Sequence, residues 1–370
     1  MKNLIVYNPI FFTGLEHSKD FDAWRGMYRV TNAVTAPYID RTNKIKFPIR
    51  TQIPDSCLMP DYDSNFNMDY MECSIDQALQ IYKQREILNV PVYIFWSGGI
   101  DSSMTVISFI AAKGMDYAKK HVKIVMTPES IIENPFLYYD YILPNLDIVS
   151  GEHVDTLWGT DKIIVTGELN DQLIGSDVMR DFIAFKGSKD TFTEWKESEV
   201  ARYYHQHKKM PMHHAEVWAK ILSDCVRTAQ CPVYDYWDFY WYITFACKWL
   251  YVKHRLLVYS DPSITPFENY KEYDVHHVPF YDSINFQKWS MKNPHMKHQQ
   301  SWETHKWLPR KLVSEFMNRP EYLNKTKNGS LWRLAISKSR VNAIDQDLNT
   351  YSEISIADWY NPENSFQGLL

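Results

Sequence analysis

The chain has 370 residues, 45% hydrophobic and 23% charged, a composition that suits one large globular domain or two moderate ones. A net charge of −5 gives no electrostatic footprint for nucleic acid. Its five cysteines, Cys57, Cys73, Cys225, Cys231 and Cys247, include no Cys-x-x-Cys pair, which argues against a disulfide framework or a zinc knuckle and for a reducing, cytoplasmic setting. The apolar start, Leu4 to Tyr7, is too short for a signal-peptide core, and the uncharged aromatic run Phe239 to Cys247 is less than half a membrane span, so no membrane partner is expected.

In chain order, residues 1–87 read as an N-terminal extension with a strand at Leu4 to Tyr7 and, at its end, a helix over Ser74 to Leu88 capped by Ser74. Val90 to Trp96 reads as a strand that runs straight into Ser97-Gly98-Gly99. Helical apolar spacing resumes at Met104, Val106, Ile107, Phe109 and Ile110. Val122 to Met126 and Lys162 to Val165 read as further strands. Strands separated by helical segments imply a parallel twisted sheet with flanking helices, an α/β fold whose ligands sit at the strands' carboxyl ends. Beyond Glu194 the pattern is mainly helical, with one long aromatic helix over Tyr236 to Leu257 whose rings are read as core packing. Asp261 to Pro266 should break it. Trp302 to Phe316 reads as another helix that Pro309 kinks or starts late. The main domain is placed at 88–335 and a C-terminal tail at 336–370.

Two glycines and a helix start let backbone N–H groups approach a bulky anion, and Ser97, Ser102 and Ser103 add hydroxyl donors. Asp101 is the odd member of such a cradle. A carboxylate beside phosphates is repulsive unless a cation lies between them, so Asp101 is read as a Mg²⁺ ligand. The plainer alternative is an ordinary strand-to-helix turn with Ser102 as its cap. After the third strand, Thr166-Gly167-Glu168-Leu169-Asn170-Asp171 places two carboxylates at a neighbouring strand end. Glu168 suits a general base or an amine-orienting group, and Asp171 a second metal ligand. Alternatively, Asn170 or Asp171 simply caps a helix. His205, His207, His213 and His214 have no partner ligands at zinc-like spacing and are read as surface residues.

Ser97 to Ser103 resembles the pyrophosphate loop of the ATP pyrophosphatase superfamily, whose members split ATP between the α- and β-phosphates and adenylate a substrate. Thr166 to Gly175 is similar to the second signature of the asparagine synthetase synthase domain, Ser-Gly-Glu-Gly-x-Asp-Glu-x-Phe-Gly-Gly. Leu169, Gln172 and Ser176 stand where that family has glycine, acid and glycine. His277 to Asp282, His305 to Arg310 and Lys325 to Gly329 follow in family order.

The resemblance implies ATP and Mg²⁺ as cofactors, with Ser97, Gly98, Gly99, Asp101, Ser102, Ser103 and Gly167 around the phosphates and Asp101 and Asp171 on the metal. It places Glu168 in acid–base or positioning work and Lys306, with Lys325 or Lys327, against the leaving pyrophosphate. It places adenine near Phe95, Trp96, Met126 and Thr127. The activity implied is an AMP-forming and pyrophosphate-forming ligase acting on a small-molecule acceptor and an amine donor. The family's glutaminase domain has no counterpart here, since Lys2 stands where its cysteine nucleophile would be, so ammonia would come free, from a separate protein, or from an amine in the substrate. The alternatives are a base-modifying enzyme of nucleotides or nucleic acid, and an ATP-binding module without turnover.

Overall fold

The computed structural model describes residues 3–7, 12–13, 39–152, 157–175, 178–259, 267–325, 343–352 and 354–364. Strand β1 (Leu4–Tyr7) is buried along its whole length, as its unbroken apolar run requires. Helix α1 (Tyr70–Leu88) starts earlier than its periodicity suggests. Asp69 caps it, accepting from the Glu72 amide while Glu72 reaches back to the Asp69 N–H. The expected cap, Ser74, lies inside the helix and donates to the Tyr70 carbonyl.

Strand β2 (Val92–Phe95) leads through the glycine turn into α2 (Ile100–Lys113), and α1 packs against α2. Next come β3 (Val122–Met126), β4 (Asp147–Ser150) and β5 (Ile163–Thr166), the last followed by the short α3 (Asn170–Ile174). The expected single aromatic helix is two: α4 (Tyr236–Cys247), buried at every residue, and α5 (Trp249–Tyr259). They part at Lys248, the C-cap of α4, whose φ of −106° and ψ of −7° depart from the regular helical values. The expected break at Asp261 to Pro266 lies outside the described residues. Strand β6 (His277–Pro279) follows, then α6 (Trp307–Met317). Pro309 sits in the first turn of α6, where its missing N–H is tolerated, so the helix begins after Trp302.

Five strands form one all-parallel sheet in the order β4-β3-β2-β5-β6, with helices around it, which is the α/β architecture expected. Two of its strands were not legible in the sequence. β4 is an exposed edge and β6 is only three residues long. Phe95 pairs with both Val125 and Thr166, so the central strands end level and their following loops share one crevice.

The N-terminal strand meets elements from residue 343 onward. Strand β7 (Ala343–Asp345) pairs antiparallel with β1 and with β8 (Thr350–Tyr351). Leu4, Tyr7, Leu250 of α5, Ala343 and Trp359 share a small second core. Among the described residues no helix is long and apolar enough to cross a membrane.

Candidate active site at the strand ends

The turn after β2 holds its shape through a close backbone approach. Gly98 has φ of +75°, and a Cβ there would lie 2.3 Å from the Ser130 carbonyl oxygen. Gly99 is the N-cap of α2 and brings no side-chain acceptor, so the first N–H groups of this 14-residue helix are left for another partner. Ser102 Oγ accepts from the Ser97 N–H at 3.1 Å and lies 3.1 Å from Ser97 Oγ. Gly167 abuts the same turn from β5, and a Cβ on it would come within 2.9 Å of the Ser102 nitrogen. The two loops are therefore in direct contact.

Their charged residues converge with a third segment. Lys306, at the N-cap of α6, places its ammonium 2.6 Å from Asp101 Oδ2 and 2.6 Å from Asp171 Oδ1. Asn170 donates to Asp101 Oδ1 at 2.7 Å, and Tyr70 donates to Asn170 Oδ1 at 2.9 Å. Tyr281, from the segment after β6, donates to the Asp101 carbonyl. Burial alone would lower the Lys306 pKa, but Asp101 and Asp171 outweigh it and the net shift is upward, so the ammonium is firmly charged.

Glu168 forms an ion pair with Arg255 of α5. Burial works against the Arg255 charge, but Glu168 more than restores it and raises its pKa. Glu168 is thus an oriented carboxylate, not a free base, in this arrangement. Arg255 escaped the sequence reading because a cation near a helix C-terminus has a sufficient local explanation there. Lys325 donates to the Ile132 and Glu133 carbonyls, and burial lowers its pKa. Lys327 and Ser176 lie outside the described residues.

A cavity of about 880 Å³ opens here. Of the expected site residues, Phe95, Ser97, Gly99, Asp101, Ser102, Gly167, Glu168, Asp171, Lys306 and Lys325 line it. Gly98, Ser103, Met126 and Thr127 are not among its lining residues. Ser103 is buried and braces the turn, accepting from Trp96 Nε1 at 3.1 Å and Asn134 at 3.2 Å while donating to the Gly98 carbonyl. Met126 and Thr127 are buried, and Trp96 is buried against Tyr138, so of the residues at these two strand ends Phe95 and Val125 are the apolar ones that face the cavity. Arg180 and Arg310 add cations that sequence reasoning did not single out.

The donor chemistry fits Mg²⁺. Two carboxylates already share one cation, and Mg²⁺ commonly takes one or two carboxylates with the remainder from phosphate and water. Among the described residues no group of three or more His, Cys, Asp or Glu side chains is placed to hold a metal, so an ion here needs oxygens from a ligand. His205, His207 and His213 are exposed, in line with a surface role, His214 is half-buried, and all five cysteines are buried and free. Gln172 is buried, as is Leu169, which keeps φ of +80°.

Comparison with protein-family models, curated proteins and solved structures yields no match.

Proposed function

We propose that the chain is an ATP-dependent ligase that adenylates a substrate oxygen, most simply a carboxylate, and passes the activated group to an amine. The observation that carries this reading is the meeting of Asp101, Asp171 and Lys306 beside an open helix N-terminus at the carboxyl ends of parallel strands. Polyphosphate needs that combination of backbone donors and cations, whereas an ordinary capped turn does not.

In this mechanism Ser97, Ser102 and the N–H groups of α2 bind the phosphates. Attack of the acceptor oxygen on the α-phosphorus forms the new O–P bond and breaks the bond to the β-phosphate oxygen, releasing pyrophosphate. Lys306 balances the charge that builds on that leaving group. Mg²⁺ held by Asp101 and Asp171 would supply further charge neutralisation. Glu168, fixed by Arg255, orients the incoming amine; its nitrogen forms the bond to the acyl carbon as the carbon–oxygen bond to AMP breaks, and the proton shed by the nitrogen goes to solvent. The nitrogen source is free ammonia, a separate protein, or an amine within the acceptor.

The test is release of AMP and pyrophosphate in equal amounts when the purified protein meets ATP and Mg²⁺ with a panel of carboxylates and amines. Asp101→Asn should abolish the release while leaving the fold intact. No AMP from any pair, or turnover unaffected by Asp101→Asn, would overturn the assignment.

A further inference from the structure

We propose that Lys306 is a tethered counterion that occupies the cation position between Asp101 and Asp171 in the free protein, so that a divalent ion enters only together with nucleotide phosphates. This rests on the functional reading above and concerns the order in which the charges meet.

The ammonium stands 2.6 Å from an oxygen of each carboxylate, at the position where one ion shared by both would lie. Asp101 has no idle oxygen to offer elsewhere. Its Oδ1 accepts from Asn170, which Tyr70 holds in turn, and its Oδ2 accepts from Lys306. Lys306 is only 7% exposed, so water screens its ammonium poorly even though the Asp171 side chain is open to solvent. A divalent ion arriving alone would meet a buried ammonium at contact range and could not add to the site without displacing it. Mg²⁺ also gives up water reluctantly, and two carboxylates already neutralised in part by lysine compensate that loss weakly.

Nucleotide changes the balance, because its phosphates give the ammonium a second set of anionic partners beside the turn at Ser97 to Ser102. Lysine suits such a transfer, being a compact point charge on a flexible four-carbon stem. Arg180 and Arg310 line the same cavity and add to the positive field that draws the phosphates in. Lys306 therefore moves from carboxylates to phosphates as the ion takes its place, and metal and nucleotide bind with positive coupling.

The experiment follows Mn²⁺ by its free-ion paramagnetic resonance signal, with thermal melting alongside, for the full chain and for Lys306→Met. Without nucleotide, the unaltered protein should bind Mn²⁺ at least about tenfold more weakly than Lys306→Met, and only the variant should gain melting temperature from the ion. Adding a non-hydrolysable ATP analogue should bring tight binding of Mn²⁺ to the unaltered protein. Equal Mn²⁺ affinity of the two proteins without nucleotide would overturn the proposal. Lys306→Gln serves if the methionine variant does not fold. Tight Mn²⁺ binding by the unaltered protein in the absence of nucleotide is decisive against it whatever the variants do. Failure of the analogue to bind at all would instead remove the ligase reading, so the two failures are distinct.

Discussion

Leu169 holds φ of +80° with its side chain 1% exposed, a pairing that sets two effects against each other. A non-glycine residue in the left-handed region costs about 1–3 kcal/mol, whereas truncating a buried leucine costs about 2–5 kcal/mol. Packing outweighs backbone strain, so Leu169→Gly should lower stability by about 1–2 kcal/mol in urea unfolding despite relieving the left-handed conformation. A gain in stability would mean that the side chain contributes little to the core. The turn at this position was legible from Gly167 and the two carboxylates. The left-handed leucine was not, because nothing in a lone aliphatic residue advertises its φ. Ser103 teaches the same point from the other side: three hydroxyls near a glycine turn look alike in sequence, yet only the structure separates Ser97 and Ser102 at the cavity from Ser103 behind it.

Among the elements, α3 and α4 are coupled through Gly175. Its φ is +89°, and a Cβ there would fall 2.6 Å from Trp241 Cβ. One residue earlier, the Ile174 carbonyl accepts from Trp237 Nε1 at 2.9 Å. Gly175→Ala therefore meets both an unfavourable backbone and a wall of indole, and should cost about 2–4 kcal/mol, read as a lower denaturant midpoint. Because α3 begins at Asn170 and carries Asp171, the same change should also weaken nucleotide binding. The strong periodic segments, β2, α2 and β3, were readable because their apolar spacing is unambiguous. The α4–α5 break at Lys248 was not, since the apolar pattern continues across it, and α1 began early because the capping box at Asp69 and Glu72 outranked the nearby serine. Strand β6, at three residues, is too short to show a period, and β4 is a largely exposed edge strand with no long run of apolar residues.

For the whole molecule, a buried polar group joins α5 to the segment carrying β6. Lys253 lies 2.7 Å from both Asp274 and Asp282, and His254 accepts from Tyr270 at 2.8 Å while donating to the Leu250 carbonyl. Burial, and then the Lys253 charge, depress the pKa of His254 to about 3, and the same causes depress His277 to about 3. In the unfolded chain both titrate near the ordinary value of about 6.5. Full stability is thus present above that value and is lost as pH falls toward 3, because the unfolded chain takes up protons that the fold refuses. The slope should approach about 1.4 kcal/mol per pH unit for each histidine. Denaturant unfolding between pH 7 and 4 reads it, and replacing His277 by Gln should flatten the curve; an unchanged slope would show that the carboxylates alone set acid sensitivity.

Lys306 lies 205 residues from Asp101 along the chain, although their charges meet at 2.6 Å. During synthesis both glycine turns leave the ribosome long before the lysine that balances them, and closing so long a loop is entropically costly and slow. A nascent chain that has made β2 to β5 therefore carries both carboxylates at the crevice before their lysine is made, and the nucleotide site proposed there would be completed late in folding.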